Sequence, residues 1–433
     1  MIAKTTKIGK VDSLLSHRPL GEAPAPKIVY LAVEHTRAPK ADVFVKEGDH
    51  VDYCQKVGVR HGPFFDQPIY STCSGTVLGI EKHCLYSGKP VNFIKIENDF
   101  KDTLAPTAKE RTKEEVNALS KEELIELAKE YALVGLGGSG FPTYIKLQTK
   151  CKINTILING IECEPYLSAD QLFMMNFAAD IIHGTALLMK MYDCKDARIC
   201  VKDIHPEIIE HLNKEIERLY PGSGLVVAPM KNFYPQGWEI AMIKTATGID
   251  VPAGKLPPEY GIMNLNVATA AALYYAARFN RPITERYVSF NGDGIAKPTD
   301  FLVRLGTPVT DLIPLVGGYT HEEGLRMVVG GPMMGIAVPN DDVIITETVT
   351  SFLVMTEGMR PETPCIRCGS CVLSCPRHLE PVLIMEAVKS NNRDRVKMLK
   401  PLDCVECGLC TYSCTSGIRV TDYIRRAKIL AKL

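Results

Sequence analysis

The chain has 433 residues, enough for roughly three domains of about 150 residues each. Its 50 Lys and Arg balance 50 Asp and Glu, and with 46% hydrophobic and 23% charged residues it has the make-up of a globular protein. Zero net charge argues against nucleic acid as a partner, no apolar run reaches the roughly 18 residues of a spanning helix, and the first twenty residues lack the apolar centre of a signal peptide. The expectation is a cytoplasmic protein that meets a membrane only through partners.

In chain order, residues 28–33, 41–45, 76–80 and 93–97 are apolar and β-branched with Gly and Pro between them, the pattern of a small all-β sandwich or barrel. Residues 109–131 are charged and helix-forming, with Leu124, Leu127 and Ala128 at helical spacing. A glycine cluster follows at 135–140. Then come a strand at 155–159, a long apolar helix at 171–191, a strand at 198–202 and a helix at 207–219. That alternation predicts an α/β domain with a largely parallel sheet. Residues 287–291, 300–305 and 323–329 predict a small α+β unit, and a cysteine-rich tail from residue 356 ends in a helical pattern at 420–433.

Eight of the 15 cysteines fall between Cys365 and Cys414. They form two C-x₂-C-x₂-C-x₃-C motifs. The first is Cys365, Cys368, Cys371 and Cys375, followed by Pro376. The second is Cys404, Cys407, Cys410 and Cys414, followed by Thr415. Zinc sites use pairs of ligands, four per metal; a third and fourth Cys at fixed offsets point instead to two [4Fe–4S] clusters. In this spacing the fourth thiolate serves the other cluster. One cluster should take Cys365, Cys368, Cys371 and Cys414, and the other Cys404, Cys407, Cys410 and Cys375. Gly369 and Gly408 give the loops backbone freedom. The exchange of Pro376 for Thr415 leaves the ligands untouched and should at most tune one cluster. The remaining seven cysteines are expected to be buried small hydrophobes, with Cys163 set apart by its place between Glu162 and Glu164.

Gly135, Gly137, Gly138 and Gly140 lie in a stretch that matches a dinucleotide fingerprint, yet a helix pattern precedes it where that fingerprint needs a strand. The reading is therefore a glycine loop whose amides meet an anionic or planar ligand, with Lys146 adding a point charge. Asn159, Glu162 and Glu164 follow the 155–159 strand, and ligands of open α/β sheets bind at the carboxyl ends of strands. Asn264 and Asn266 precede a small-residue helix.

The glycine loop with Lys146, and the segment Asn159–Tyr166, resemble the flavin-binding segments of the NADH-oxidising subunit of respiratory complex I. Tyr234–Glu239, Asn264–Thr269 and Gly330–Gly335, followed by the two cysteine motifs, resemble the RnfC family, the C subunits of the Rnf electron-transport complexes. The resemblance runs through nearly the whole chain in one order. It implies a multidomain fold, α/β plus all-β: a barrel-sandwich at 1–105, an FMN- and NADH-binding α/β domain at 106–280, a β-grasp (SLBB) domain at 281–350 and an α-helical two-cluster ferredoxin-like module at 351–433. It implies FMN as cofactor, held by Gly135, Gly137, Gly138, Gly140, Lys146, Asn159, Glu239, Asn264 and Asn266, with Glu162 and Glu164 beside the isoalloxazine and nicotinamide. NAD(H) would be the substrate and no side chain a general base. The implied role is the point where electrons enter an ion-translocating NADH:ferredoxin oxidoreductase, peripheral on the cytoplasmic face of the membrane, with other Rnf subunits as partners and ferredoxin reached indirectly. Trp238 and Ile240 flank Glu239 where the resemblance leads one to expect Gly and Lys, so a bulky indole would narrow the nicotinamide slot. The alternatives are a soluble flavin/iron–sulfur reductase serving cobalamin or an amino-acid reductase, and a non-catalytic wiring protein with an empty glycine loop.

Overall fold

The computed structural model describes residues 20–356, 358 and 360–432. The expectation about the start of the chain falls on residues 1–19 and lies outside these.

The first unit is all-β. Ile28–Ala32, Pro90–Asn98, Gly75–Cys84 and His50–Val51 form one antiparallel sheet; Lys40–Val43, Lys56–His61 and Asp66–Tyr70 form a second. Alternating side chains point inward, and Val29, Val57, Ile69, Ile94 and Ile96 fill the space between the sheets.

The α/β unit carries four parallel strands in the order Leu225–Met230, Ala197–Lys202, Thr155–Asn159, Ile262–Asn266. Ile156, Leu157 and Ile158 are fully buried, as expected of a strand covered on both faces. Helices Ala178–Tyr192 and Val267–Phe279 pack against each other. A Cβ on Gly184 would lie 1.9 Å from the carbonyl oxygen of Ala270, so only glycine permits this approach.

Two expected helices are broken. The 109–131 pattern is two helices, Lys113–Ala118 and Lys121–Glu130, each opened by a capping box, Thr112 with Glu115 and Ser120 with Glu123. The 171–191 helix breaks at Phe177 into Ala169–Asn176 and Ala178–Tyr192, bent by 88°. Apolar residues continue through the bend because both halves are packed in the core, so periodicity alone does not mark it.

The next unit is a six-stranded sheet in the order Leu20–Glu22, Thr299–Arg304, Glu285–Asn291, Ser351–Met355, Arg326–Val329, Ile336–Val338. Leu20–Glu22 runs parallel to Thr299–Arg304 and belongs to this sheet rather than to the β-sandwich that follows it in sequence. Ser351–Met355 lies inside the sheet, so this unit extends past residue 350. In the C-terminal module helices Pro381–Lys389 and Val420–Lys432 pack together beside two short helices, Ser370–Leu373 and Leu409–Tyr412. Among the described residues no single helix is long and apolar enough to cross a membrane.

Candidate functional site

Asn159 and Asn266 end adjacent parallel strands and are register partners, which places both at the carboxyl edge of the sheet. The Asn266 side chain caps the following helix by accepting from the Ala268 amide at 2.9 Å. Its Nδ2 donates to the Asn159 carbonyl at 3.3 Å and to Asp170 Oδ2 at 2.7 Å. The glycine loop folds over this edge. A Cβ on Gly137 would come within 3.3 Å of the Asn266 side chain, and Gly138 and Gly140 have φ of +96° and +57°. Helix Lys121–Glu130 precedes the loop, as expected, so the loop is no dinucleotide fingerprint. The amides of Gly137, Gly138 and Ser139 make no hydrogen bond among the described residues, and all three residues are exposed. Three adjacent free N–H groups form a cradle for an anion.

Lys146, Glu239 and Asn264 meet on the same side. Lys146 Nζ lies 3.1 Å from Glu239 Oε2, which also accepts from Asn264 Nδ2 at 2.7 Å. Asn159 Nδ2 donates to the Gly237 carbonyl at 2.8 Å. Gly237 has no room for a side chain, since a Cβ would lie 2.3 Å from the Ile161 carbonyl oxygen. Asn264 Oδ1, Gln236 Nε2 and Thr143 Oγ1 are buried without a hydrogen-bond partner among the described residues. Buried polar atoms are normally satisfied, so these orphans fit a polar ligand such as a flavin. Sequence reasoning overlooked Thr143, Gln236 and Asp170; a hydroxyl or amide in an apolar context carries no signal until its neighbours are known.

The two glutamates point in different directions. Glu162 is 8% exposed and points inward, with Oε2 accepting from the Asp170 amide at 3.3 Å. Burial, with the carboxylates of Asp170 and Asp300 nearby, holds its carboxyl well above the usual range. Glu164 reaches the other way. Its Oε2 accepts from the Met333 amide at 3.0 Å, and the Tyr234 phenol oxygen lies 3.4 Å from Oε1. Burial pushes its carboxyl up to about 7. Cys163, between them, is pushed up to about 12, chiefly by burial and then by Glu164, which leaves it an inert thiol. Cys54, Cys73, Cys194 and Cys200 are buried as expected, whereas Cys84 and Cys151 are exposed, the one at the end of strand Gly75–Cys84 and the other in a loop.

The eight cysteines of the tail form two pseudo-equivalent sets. Arg367 N donates to Cys365 Sγ at 3.4 Å and Glu406 N to Cys404 Sγ at 3.3 Å; Leu379 N donates to Cys375 Sγ at 3.3 Å and Ile418 N to Cys414 Sγ at 3.4 Å. Such N–H···S bonds are the surroundings of cluster sulfurs. Gly369 and Gly408 share a φ of +77°, and the short helices they open are linked by Ser374 and Ser413 hydroxyls 2.9 Å apart. Cys365, Cys368, Cys371 and Cys414 line one cavity of about 370 Å³ including its mouth. Cys375 lies beside Cys404, Cys407 and Cys410, close enough to raise their thiols further. The structure thus places Cys414 with the first loop and Cys375 with the second. Thr415 Oγ1 lies 3.7 Å from Cys368 Sγ, so the exchanged residue touches a sulfur of the opposite motif. Among the described residues no three His, Cys, Asp or Glu groups converge on a single ion; the thiols of the first set surround a space, which suits a cubane.

The two regions touch. Tyr234 OH donates to the Cys407 carbonyl at 2.6 Å, Tyr234 and Cys163 pack with Cys407, Leu409 and Met333, and the Arg377 guanidinium lies 5.7 Å from the centre of the Trp238 ring. The indole expected to narrow the nicotinamide slot is therefore stacked against the C-terminal module.

Comparison with known proteins follows the same divisions. Family models match as the RnfC barrel sandwich hybrid domain over residues 6–101, the Nuo51 FMN-binding domain over 128–275, the SLBB domain over 287–337 and the 4Fe-4S dicluster domain over 364–418. The chain is 36% identical over 392 residues to the C subunit of the Na(+)-translocating ferredoxin:NAD(+) oxidoreductase complex of Acetobacterium woodii, covering 89% of this chain and 86% of that one. It is 34% identical to the C subunit of the proton-translocating ferredoxin:NAD(+) oxidoreductase complex of Clostridium ljungdahlii, covering 85% and 80%. To the C subunit of the ion-translocating oxidoreductase complex of Rhodobacter capsulatus it is 33% identical, covering 83% and 69%. Among solved structures it resembles a chain of an NAD+-reducing [NiFe]-hydrogenase in the H2-reduced state, with a TM-score of 0.51 and 16% identity, covering 76% of this chain and 63% of that chain; this likeness concerns the fold.

Proposed function

The chain belongs to the family formed by the C subunits of ion-translocating oxidoreductase complexes, and from that premise we propose that it is the subunit through which a membrane-associated Rnf-type NADH:ferredoxin oxidoreductase exchanges electrons with NADH. FMN bound at the glycine loop would take up the two electrons of a hydride, and two [4Fe–4S] clusters would carry them away one at a time. Its partners are the other subunits of that complex, and ferredoxin is served through them. It sits peripherally, on the cytoplasmic face where NADH is found.

The chain's own residues divide the work. Free amides at Gly137–Ser139 and the Lys146 ammonium suit the flavin phosphate, while Asn159, Asn264, Asn266 and Glu239 offer a polar frame for its ring. Glu162 and Glu164 flank the strand end where the nicotinamide would arrive. No proton-transfer residue is needed for hydride transfer.

The observation that carries this reading is the Tyr234–Cys407 hydrogen bond of 2.6 Å, which joins the candidate flavin site to the second cysteine loop. Cys407 is buried against that junction and Cys410 in the core of the C-terminal module, whereas Cys365 and Cys368 are exposed. The order is therefore flavin, then the cluster of Cys404, Cys407, Cys410 and Cys375, then the cluster of Cys365, Cys368, Cys371 and Cys414, facing the next carrier. Anaerobically purified holoprotein should bleach its flavin absorbance on titration with NADH. Flavin that stays oxidised under NADH would rule out NADH as the direct donor.

A further inference from the structure

We propose that Arg286 is a positioning residue of the flavin site, a cation supplied by strand Glu285–Asn291 that fixes the glycine loop and offsets the charge of Asp170 beneath it. The proposal rests on the reading of Gly135–Gly140 as the flavin loop.

Arg286 is the second residue of strand Glu285–Asn291, outside the matched FMN-binding domain, and is 8% exposed. Its guanidinium leaves its own sheet. One terminal nitrogen donates to the Leu136 carbonyl, inside the glycine loop, at 3.2 Å, and the other to the Glu347 carbonyl. The Leu136 amide is held from the opposite side by Thr269 Oγ1 at 2.9 Å, so both polar groups of this loop residue are fixed by side chains from elsewhere.

The charge on Arg286 has a matching role. Burial lowers its affinity for a proton only to about 10, and the carboxylates of Asp170, Glu347 and Glu162 act in the opposite direction, so it stays a cation at neutral pH. Glu347 has a second cation in Arg60, 3.4 Å away. Burial pushes the carboxyl of Asp170 up to about 6; the hydrogen bond from Asn266 and the attraction of Arg286 oppose this and keep it ionised at neutral pH. Asp170 in turn accepts from Asn266 Nδ2 at 2.7 Å, and Asn266 supports Asn159 and touches the space above Gly137. One guanidinium therefore stands behind Leu136, Asn159, Asn266 and Gly137 together. Removing it would leave the buried Asp170 either charged without its counter-charge or neutralised by a proton, and in either case its hold on Asn266 changes, which costs more than the loss of an exposed pair.

The test uses the full chain with its clusters reconstituted, and reads the FMN dissociation constant by flavin fluorescence alongside iron and sulfide content. Arg286→Met should weaken FMN about a hundredfold with iron and sulfide unchanged. Arg286→Lys should fall between, because an ammonium keeps the charge but cannot reach two divergent carbonyls in a fixed fork. Adding Asp170→Asn to Arg286→Met removes the uncompensated carboxylate and should recover about tenfold or more of the lost affinity. Wild-type FMN affinity in Arg286→Met would overturn the proposal. So would a double variant no better than the single one, since a side chain that merely fills space is not rescued by charge. Should the single variant fail to fold, the double variant decides: folding and FMN binding support the proposal, and failure to fold overturns it. Wild-type protein that binds no FMN would remove the flavin reading itself and this inference with it.

Discussion

The phenol of Tyr234 donates a 2.6 Å hydrogen bond to the main-chain carbonyl of Cys407, and this bond spans the junction between the flavin domain and the cluster module. The same side chain lies 3.4 Å from Glu164 Oε1. A third unit joins there, because Gly408 leaves space for the carbonyl of Met333: a Cβ on Gly408 would lie 2.5 Å from it. Three units thus meet within a few residues, at the junction through which electrons would leave the flavin in the proposed order.

Tyr234→Phe removes the bond while keeping the ring. The holoprotein should lose about 1 kcal/mol of stability, the ordinary net worth of a buried hydrogen bond, with a further penalty for the unpaired Cys407 carbonyl. The rate at which NADH bleaches the flavin should be unchanged, while the subsequent reduction of the clusters slows. Anaerobic stopped-flow absorbance separates the two phases; equal slowing of both would deny Tyr234 its place at the junction.

The crossed arrangement of thiols gives a second prediction. Cys375 is the last cysteine of the first motif in sequence but lies beside Cys404, Cys407 and Cys410. Cys375→Ser should therefore deplete the cluster of the second loop, and Cys414→Ser that of the first, each removing up to half of the iron. Electron paramagnetic resonance of the reduced protein distinguishes the two, since the surviving signal in each variant should be the one lost from the other. Loss confined to the mutated residue's own motif would show that the sets are not crossed.

Much of this was legible in the sequence, for a physical reason. Cysteine spacing is local, and a loop with left-handed residues at Arg367, Gly369, Glu406 and Gly408 follows directly from it. Asn159 and Asn266 were legible because strand ends are signalled by a change from apolar to polar residues. Pairings between distant segments were not. Nothing in Leu20–Glu22 says that its partner is Thr299–Arg304, and nothing in Arg286 says that its guanidinium crosses to Leu136. The bend at Phe177 was hidden because both helices around it are apolar.

Glycine positions near the site should respond differently to the same substitution. Gly237→Ala places a methyl 2.3 Å from a main-chain oxygen and 3.0 Å from Cys163 Sγ, so the strand end carrying Asn159 must shift. A loss of about 1–3 kcal/mol is expected, with weakened FMN binding. Gly138→Ala meets nothing within 4 Å, and its cost comes from a φ of +96°, about 1 kcal/mol or somewhat more. Denaturant unfolding with FMN titration checks the order; a milder effect at Gly237 than at Gly138 would contradict the close approach.

Glu164 gives the pH dependence its sign. Burial raises its carboxyl from 4.5 in the unfolded chain to about 7 in the folded one. Below about pH 4.5 both states are protonated and the contribution favouring the fold is fully present. As pH rises the unfolded chain ionises first, so this contribution is lost progressively up to about pH 7, by about 3 kcal/mol at most. Glu164→Gln keeps an acceptor for the Met333 amide but cannot ionise. The stability difference, wild type minus Glu164→Gln, should therefore fall between about pH 4.5 and 7 and then level off. Denaturant midpoints of the two proteins across that range measure it. A difference that stays flat, or that rises with pH, would mean that Glu164 is already ionised in the folded protein, held by Tyr234 and the amides of the Met333 loop more strongly than burial opposes it.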